Sequence, residues 1–182
     1  MELPPWQRRA SRYVVQDQWM ALRADDCVNA AGVEIAPYYI LEYPDWVQIV
    51  AVDTDGNVVM VRQYRHGIAR TSLELPAGRV DAEDGSPLVT AARELLEETG
   101  YASNEPLRLL ATLSPNTATH ANRTHTVLAR NVSRIAEPAL DPTEAIAVEL
   151  VPKEEALRRA LAGEVMQSMH VASLAIGLNS IT

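Results

Sequence analysis

Apolar and polar positions divide the chain into strand-like stretches separated by two helical regions. Tyr13-Val14-Val15 and then Trp19 to Asp25 predict two strands broken near Asp17. Asn29-Ala30-Ala31-Gly32 reads as a turn, and Val33 to Tyr43, edged by Pro37, predicts a third strand. Together they would form an antiparallel meander over residues 12–43, too small to be stable alone. Residues 1–11 read as a loose or partner-dependent arm. Trp46 to Val52 and Val58 to Tyr64 are apolar strands joined by the turn Asp53-Thr54-Asp55-Gly56-Asn57. Ser72 to Leu75 predicts a strand ended sharply by Pro76-Ala77-Gly78. Further strands are expected over Leu107–Leu113, Thr124–Asn131 and Ala145–Val151, with a polar loop at 114–123 and an irregular stretch at 137–144. The last two helices are expected from Lys153 to about Ala162, stopped by Gly163, and from Gln167 to about Leu178. Strands and helices in this mixed order, with hairpins, predict an α/β fold in which helices cover a mixed sheet.

The stretch from Gly78 to Tyr101 carries the candidate chemistry. Ser86-Pro87 fits an N-cap followed by a first-turn proline, and Gly100 fits the residue after the helix end. Positions three and four apart share a helix face, which puts Glu94, Glu97 and Glu98 together. Leu88, Ala91, Ala92, Leu95 and Leu96 are expected to face the core. Like charges at helical spacing cost roughly a few tenths of a kcal/mol per pair. A hard divalent cation such as Mg2+, which prefers oxygen ligands, would relieve that repulsion. Glutamate-rich helices are also common as plain solvated faces, so the spacing alone does not decide between the two.

The surrounding residues do. Gly78, Arg93, Glu94, Leu95, Glu97, Glu98, Gly100 and Tyr101 match the Nudix box, G-x5-E-x7-R-E-U-x-E-E-x-G-U, with U a bulky apolar residue. Fourteen residues separate Gly78 from Arg93 where the pattern has one fewer, so Glu83 or Asp84 fills the first glutamate position. Weaker similarity runs from about Tyr13 to Leu178. Val61-Arg62-Gln63-Tyr64-Arg65, Glu74-Leu75-Pro76-Ala77-Gly78, Ser114-Pro115 and the final helix pair resemble the ADP-ribose pyrophosphatase branch of that family. The resemblance implies a Nudix α/β/α sandwich with a mixed sheet (residues 45–182) and a small N-terminal antiparallel β-sheet (residues 1–44) that serves dimerisation. It implies hydrolysis of the diphosphate in ADP-ribose or a related nucleotide sugar, giving a nucleoside monophosphate and a sugar phosphate. The Ala77 carbonyl, Glu94, Glu97 and Glu98 would hold Mg2+ or Mn2+. Glu94, Arg93 and Glu144 would be catalytic, with Arg93 orienting the glutamates and Glu144 the candidate base; Asp141 or a box glutamate are alternatives for that proton. Arg65, Arg62, Trp46 and Arg123 are the candidate substrate contacts.

Composition narrows the partners. The formal net charge is −8, Lys153 is the only lysine, and no basic stripe is present, which argues against nucleic acid and anionic membranes as partners. A phosphorylated small molecule remains compatible, since a bound cation and a few arginines supply positive charge locally. Cys27 is the single cysteine, which excludes a disulfide framework within the chain and makes a reducing cytoplasm the expected setting. No run of 18 apolar residues occurs, and the N-terminus carries Pro4, Pro5, Arg8 and Arg9 rather than an apolar signal core. Two other functions stay open at this point: a Nudix hydrolase for a different nucleoside diphosphate derivative, and a catalytically silent Nudix-type nucleotide sensor.

Overall fold

The computed structural model describes residues 3–181 and contains eleven strands and three α-helices among them. In chain order the strands are β1 (Gln7–Gln16), β2 (Ala21–Val28), β3 (Glu34–Glu42), β4 (Trp46–Asp53), β5 (Asn57–Arg65), β6 (Arg70–Glu74), β7 (Ala77–Arg79), β8 (Tyr101–Ser103), β9 (Arg108–Leu113), β10 (Thr124–Arg134) and β11 (Ile146–Pro152). The helices are α1 (Pro87–Thr99), α2 (Lys153–Leu161) and α3 (Ser168–Asn179). The chain forms two compact units, Met1–Pro44 with Ser114–Arg123, and Asp45–Leu113 with Thr124–Thr182.

The first unit is an antiparallel sheet in the order β1-β2-β3. The expectation of a loose arm over residues 1–11 is corrected here from Gln7 onward, residues 1 and 2 lying outside the described residues. Gln7–Gln16 is a strand paired with β2, although every one of its residues is exposed. Backbone hydrogen bonds and cross-strand side chains hold it: Ser11 Oγ donates to Asp25 at 2.6 Å and the Tyr13 hydroxyl to Glu42 at 3.0 Å. The polar segment 114–123 belongs to this unit through backbone bonds between Leu41 and both Thr119 and Ala121.

The second unit is built on an eight-stranded mixed sheet in which β10 runs parallel to β4 and the other pairings are antiparallel. Alternation along β4 assigns its faces. Val47, Ile49 and Ala51 pack with Val59, Val127 and Ala129 against Ala91 and Leu95 of α1. Val50 and Val52 pack with Val58, Met60 and Leu128 against Ala156 and Ala160 of α2 and Leu174 of α3. The sheet is thus buried between α1 on one side and α2 and α3 on the other, an α/β/α sandwich. Each large apolar side chain sealed this way contributes about 1.5–3 kcal/mol.

One departure from regular pairing opens the sheet beside α1. β4 and β5 are registered to each other only at Val52 and Val58, beyond which they part. β6 pairs with β5, β7 pairs with β4, and the chain crosses between them from Glu74 to Ala77. The Pro76 carbonyl accepts a 2.9 Å hydrogen bond from the Ile49 amide, which ties the crossing to β4.

Candidate active site

The crossing segment delivers Ala77 and Gly78 to the side of α1. That helix starts where Ser86 accepts from the Val89 amide with Pro87 in the first turn, and ends at Gly100, whose φ of 74° is left-handed and favours glycine. Of the positions expected to face the core, Ala91 and Leu95 are buried, but Ala92 is exposed, and Glu98 is buried in its stead. The helix is rotated so that its carboxylates turn toward the sheet. Glu98 Oε2 accepts from the Ala77 amide at 3.0 Å. Glu94 lies directly over Gly78, where any Cβ would meet its side chain.

Arg93 organises the acids around it. Its Nη1 donates to Glu94 Oε1 and to Glu97 Oε2, both at 2.9 Å, as i,i+1 and i,i+4 partners. Its Nη2 and Nε donate to Asp84 at 2.9 and 3.2 Å. Asp84 also accepts from the Thr90 hydroxyl at 2.8 Å. The Arg93 hydrogen bond, outweighing a small desolvation effect, lowers the Asp84 pKa to about 2, and the same contact raises that of Arg93. Asp84, not the exposed Glu83, therefore supports the loop before the helix.

The two inner carboxyls behave differently. Burial raises the Glu94 pKa to about 7 and that of Glu98 to about 8, against the pull of Arg93 on the first and of the Ala77 amide on the second. The charge of Glu144 pushes both further up. Both are carboxylate oxygen donors whose charged form burial disfavours, and the chemistry of that set fits a hard divalent cation. Among the described residues no three Asp, Glu, His or Cys side chains are gathered as a ligand set, and Arg93 bonds both Glu94 and Glu97.

At the end of β5, Arg65 donates Nε and Nη2 to the carboxylate of Glu74, at 3.0 and 2.6 Å. Glu74 is 1% exposed. Burial alone would raise its pKa, yet the Arg65 bond and the positive charge beside it hold the group below its ordinary value. On α3, His170 is 2% exposed; its Nδ1 accepts from the Leu75 amide at 3.0 Å and its Nε2 stands 3.7 Å from Glu74. Burial lowers the His170 pKa to about 4, so the ring is neutral.

Arg93 bonds Glu94 and Glu97, Glu98 meets the Ala77 amide, and the charges of Glu98 and Glu144 act on Arg65. Glu144 closes a turn with Asp141, whose amide donates to it at 3.2 Å. The other residues singled out from the sequence are placed as follows. Arg62 donates to Glu149 at 2.6 Å. Trp46 opens β4 opposite Arg79. Arg123 closes the segment that belongs to the first compact unit. Motif spacing does not single out Glu74 as a buried ion-pair member, or His170 at all. The available signal is an acid inside the apolar run Leu73-Glu74-Leu75 and a histidine inside an apolar helix, since a buried acid needs a partner.

The chain is similar to known proteins over most of its length. Residues 43–169 match the NUDIX domain, and residues 6–41 match the nucleoside diphosphate sugar hydrolase N-terminal domain. An ADP-ribose pyrophosphatase of Mycobacterium tuberculosis is 35% identical over 164 residues, covering 89% of this chain and 77% of the relative. One from Bacillus subtilis is 36% identical over 128 residues, 69% of this chain and 68% of the relative. A solved structure of an ADP compounds hydrolase shares the fold with a TM-score of 0.85 at 20% identity, covering 100% of this chain and 96% of that one. A domain match over most of the sequence and relatives at 35–36% identity lead to one conclusion: the chain belongs to the Nudix family and is a pyrophosphohydrolase.

Proposed function

We propose that this chain hydrolyses the diphosphate linkage of ADP-ribose or a related nucleotide sugar, releasing a nucleoside monophosphate and a sugar phosphate. The observation that carries the reading is the partly buried Glu94 and the buried Glu98 set against the Ala77–Gly78 segment, with Arg93 bonded to Glu94. Mg2+ or Mn2+ would be held by Glu94, Glu97, Glu98 and the Ala77 carbonyl, in keeping with the general use of divalent ions by Nudix hydrolases. What such an ion supplies when bound is neutralisation of the diphosphate charge and a more acidic attacking water.

The residues divide the remaining work. Arg65 has donors beyond those given to Glu74, and they can bind a phosphate oxygen. Arg93 fixes Glu94 and Glu97 in one orientation. Water attacks phosphorus, a new P–O bond forms as the bridging P–O bond breaks, and Glu144 accepts the proton from the water. The exposed Tyr13, Val14, Val15 and Trp19 support a homodimer through the first sheet, and the lone Cys27 agrees with a cytoplasmic setting.

The test is product identification by mass spectrometry over ADP-ribose, other nucleotide sugars, nucleoside triphosphates and dinucleotides, each with Mg2+. AMP and ribose phosphate from ADP-ribose, at the highest kcat/KM of the panel, is the expected result. Preference for triphosphates or dinucleotides overturns the substrate, and tight nucleotide binding without turnover leaves a sensor.

A further inference from the structure

Glu74 is a carboxylate sealed inside the second unit, and a sealed charge must be matched. Arg65 matches it side-on, through Nε and one Nη2 hydrogen. That geometry engages two of the five guanidinium N–H donors and leaves Nη1 without a hydrogen-bond partner among the described residues. The arginine side chain is 41% exposed while its partner is 2% exposed, so the free edge points out of the core. Its partner Glu74 stands three residues before Ala77, whose amide holds Glu98, and the charges of Glu98 and Glu144 act on this same guanidinium.

The backbone on either side of Glu74 is fixed in a matching way. β6 ends at Glu74, and three residues later the Ala77 amide holds Glu98. Between them the Leu75 amide has no strand partner and donates to His170 Nδ1 instead. Because Nδ1 accepts, the proton of this neutral ring sits on Nε2, the nitrogen facing Glu74. One imidazole thus ties α3 to the crossing segment and turns a positive N–H edge toward the buried acid.

We propose that Glu74 and His170 are positioning residues for the diphosphatase reaction, Glu74 aiming the free edge of Arg65 at the substrate phosphate and His170 fixing the Leu75–Gly78 crossing against which Glu94 and Glu98 are set. The inference rests on the proposed diphosphatase activity, and it predicts two different kinetic signatures. Glu74 acts through a substrate contact, so E74Q raises KM about tenfold or more with a much smaller change in kcat. Its proposed effect on substrate runs through Arg65, so E74Q adds nothing further to KM in an R65A background. His170 acts through the carboxylates, so H170L lowers kcat about tenfold or more with KM little changed. H170N, whose side-chain oxygen can replace Nδ1 as the acceptor for the Leu75 amide, restores most of that loss.

The experiment measures wild type, E74Q, R65A, R65A/E74Q, H170L and H170N with ADP-ribose and Mg2+, alongside thermal melts. It adds calorimetric binding of ADP-ribose in EDTA, where E74Q should weaken affinity about tenfold and H170L should not. These kinetic signatures, with the melts of E74Q and H170N close to wild type, support the proposal. Lower melting temperatures with unchanged kinetics and affinity overturn it and leave the diphosphatase reading standing, as does a loss in R65A/E74Q equal to the sum of both singles. Wild-type protein that binds and cleaves no diphosphate overturns both.

Discussion

Glu94 sits on Gly78 so closely that a Cβ at position 78 would lie 1.9 Å from its carboxyl carbon. The glycine is required here by the side chain above it rather than by its own backbone angles. Gly78→Ala should therefore displace Glu94 and lower kcat by about a hundredfold, the usual result of a shift on the order of 1 Å at a reacting group. Steady-state assays of G78A with a melting curve check this. A variant with wild-type kcat would show that Glu94 does not need its present place.

Arg93 spans Asp84 on one side and Glu94 and Glu97 on the other. Arg93→Lys keeps one positive charge but cannot reach all three acids in a fixed fork. Its kcat should fall about tenfold or more, and R93A should fall further. Equal activity of R93K and wild type would reduce Arg93 to a charge.

His170 makes stability depend on pH. Its pKa is about 4 in the fold against 6.5 ordinarily, so between these values the unfolded chain binds the extra proton. The contribution is complete above pH 6.5 and is lost as pH falls toward 4, amounting to about 3 kcal/mol at most. H170N should flatten this slope relative to wild type in urea denaturation across the interval from neutral pH down to the folded-state pKa. Parallel curves for the two proteins would mean that the ring is protonated in the fold.

Every residue of β1 is exposed, and Tyr13, Val14 and Val15 stand at 47–52% exposure with Trp19 at 71%. A strand so uncovered is expected to be sealed by a second copy of the chain. Light scattering should return twice the chain mass of 20.0 kDa, and Val15→Asp should shift the protein toward the single-chain value. A wild-type protein at the single mass contradicts the dimer.

The Gly78–Tyr101 stretch is legible in the sequence because its chemistry is local. Helical spacing alone places Glu94, Glu97 and Glu98 within one turn of one another, and Ser86-Pro87 and Gly100 mark the helix ends by side-chain and backbone preferences of single residues. What spacing does not give is the helix's rotation. By pattern Ala92 is a core residue and Glu98 a surface one, and the sheet reverses them by offering Glu98 the Ala77 amide. The first half of the strand, Gln7 to Ser11, reads as loose because it buries nothing; its stability comes from pairing with β2, which leaves no apolar alternation there. The pairing of Glu74 with His170 is hidden for a related reason. It joins β6 to α3 across about half the chain, and only the fold brings the two side chains to 3.7 Å. Separation along the chain likewise conceals the union of residues 114–123 with β3.

In the proposed reaction, Glu94, Glu97 and Glu98 of α1 hold a divalent ion that the hydrolysis needs. AMP release from ADP-ribose by wild type and by Glu98→Gln, each in EDTA and with Mg2+ restored, tests it most directly. Wild type should be active only with Mg2+, and E98Q should show a kcat lower by about a thousandfold at an unchanged melting temperature. Wild-type turnover that survives EDTA, or an E98Q variant as active as wild type, would contradict the claim.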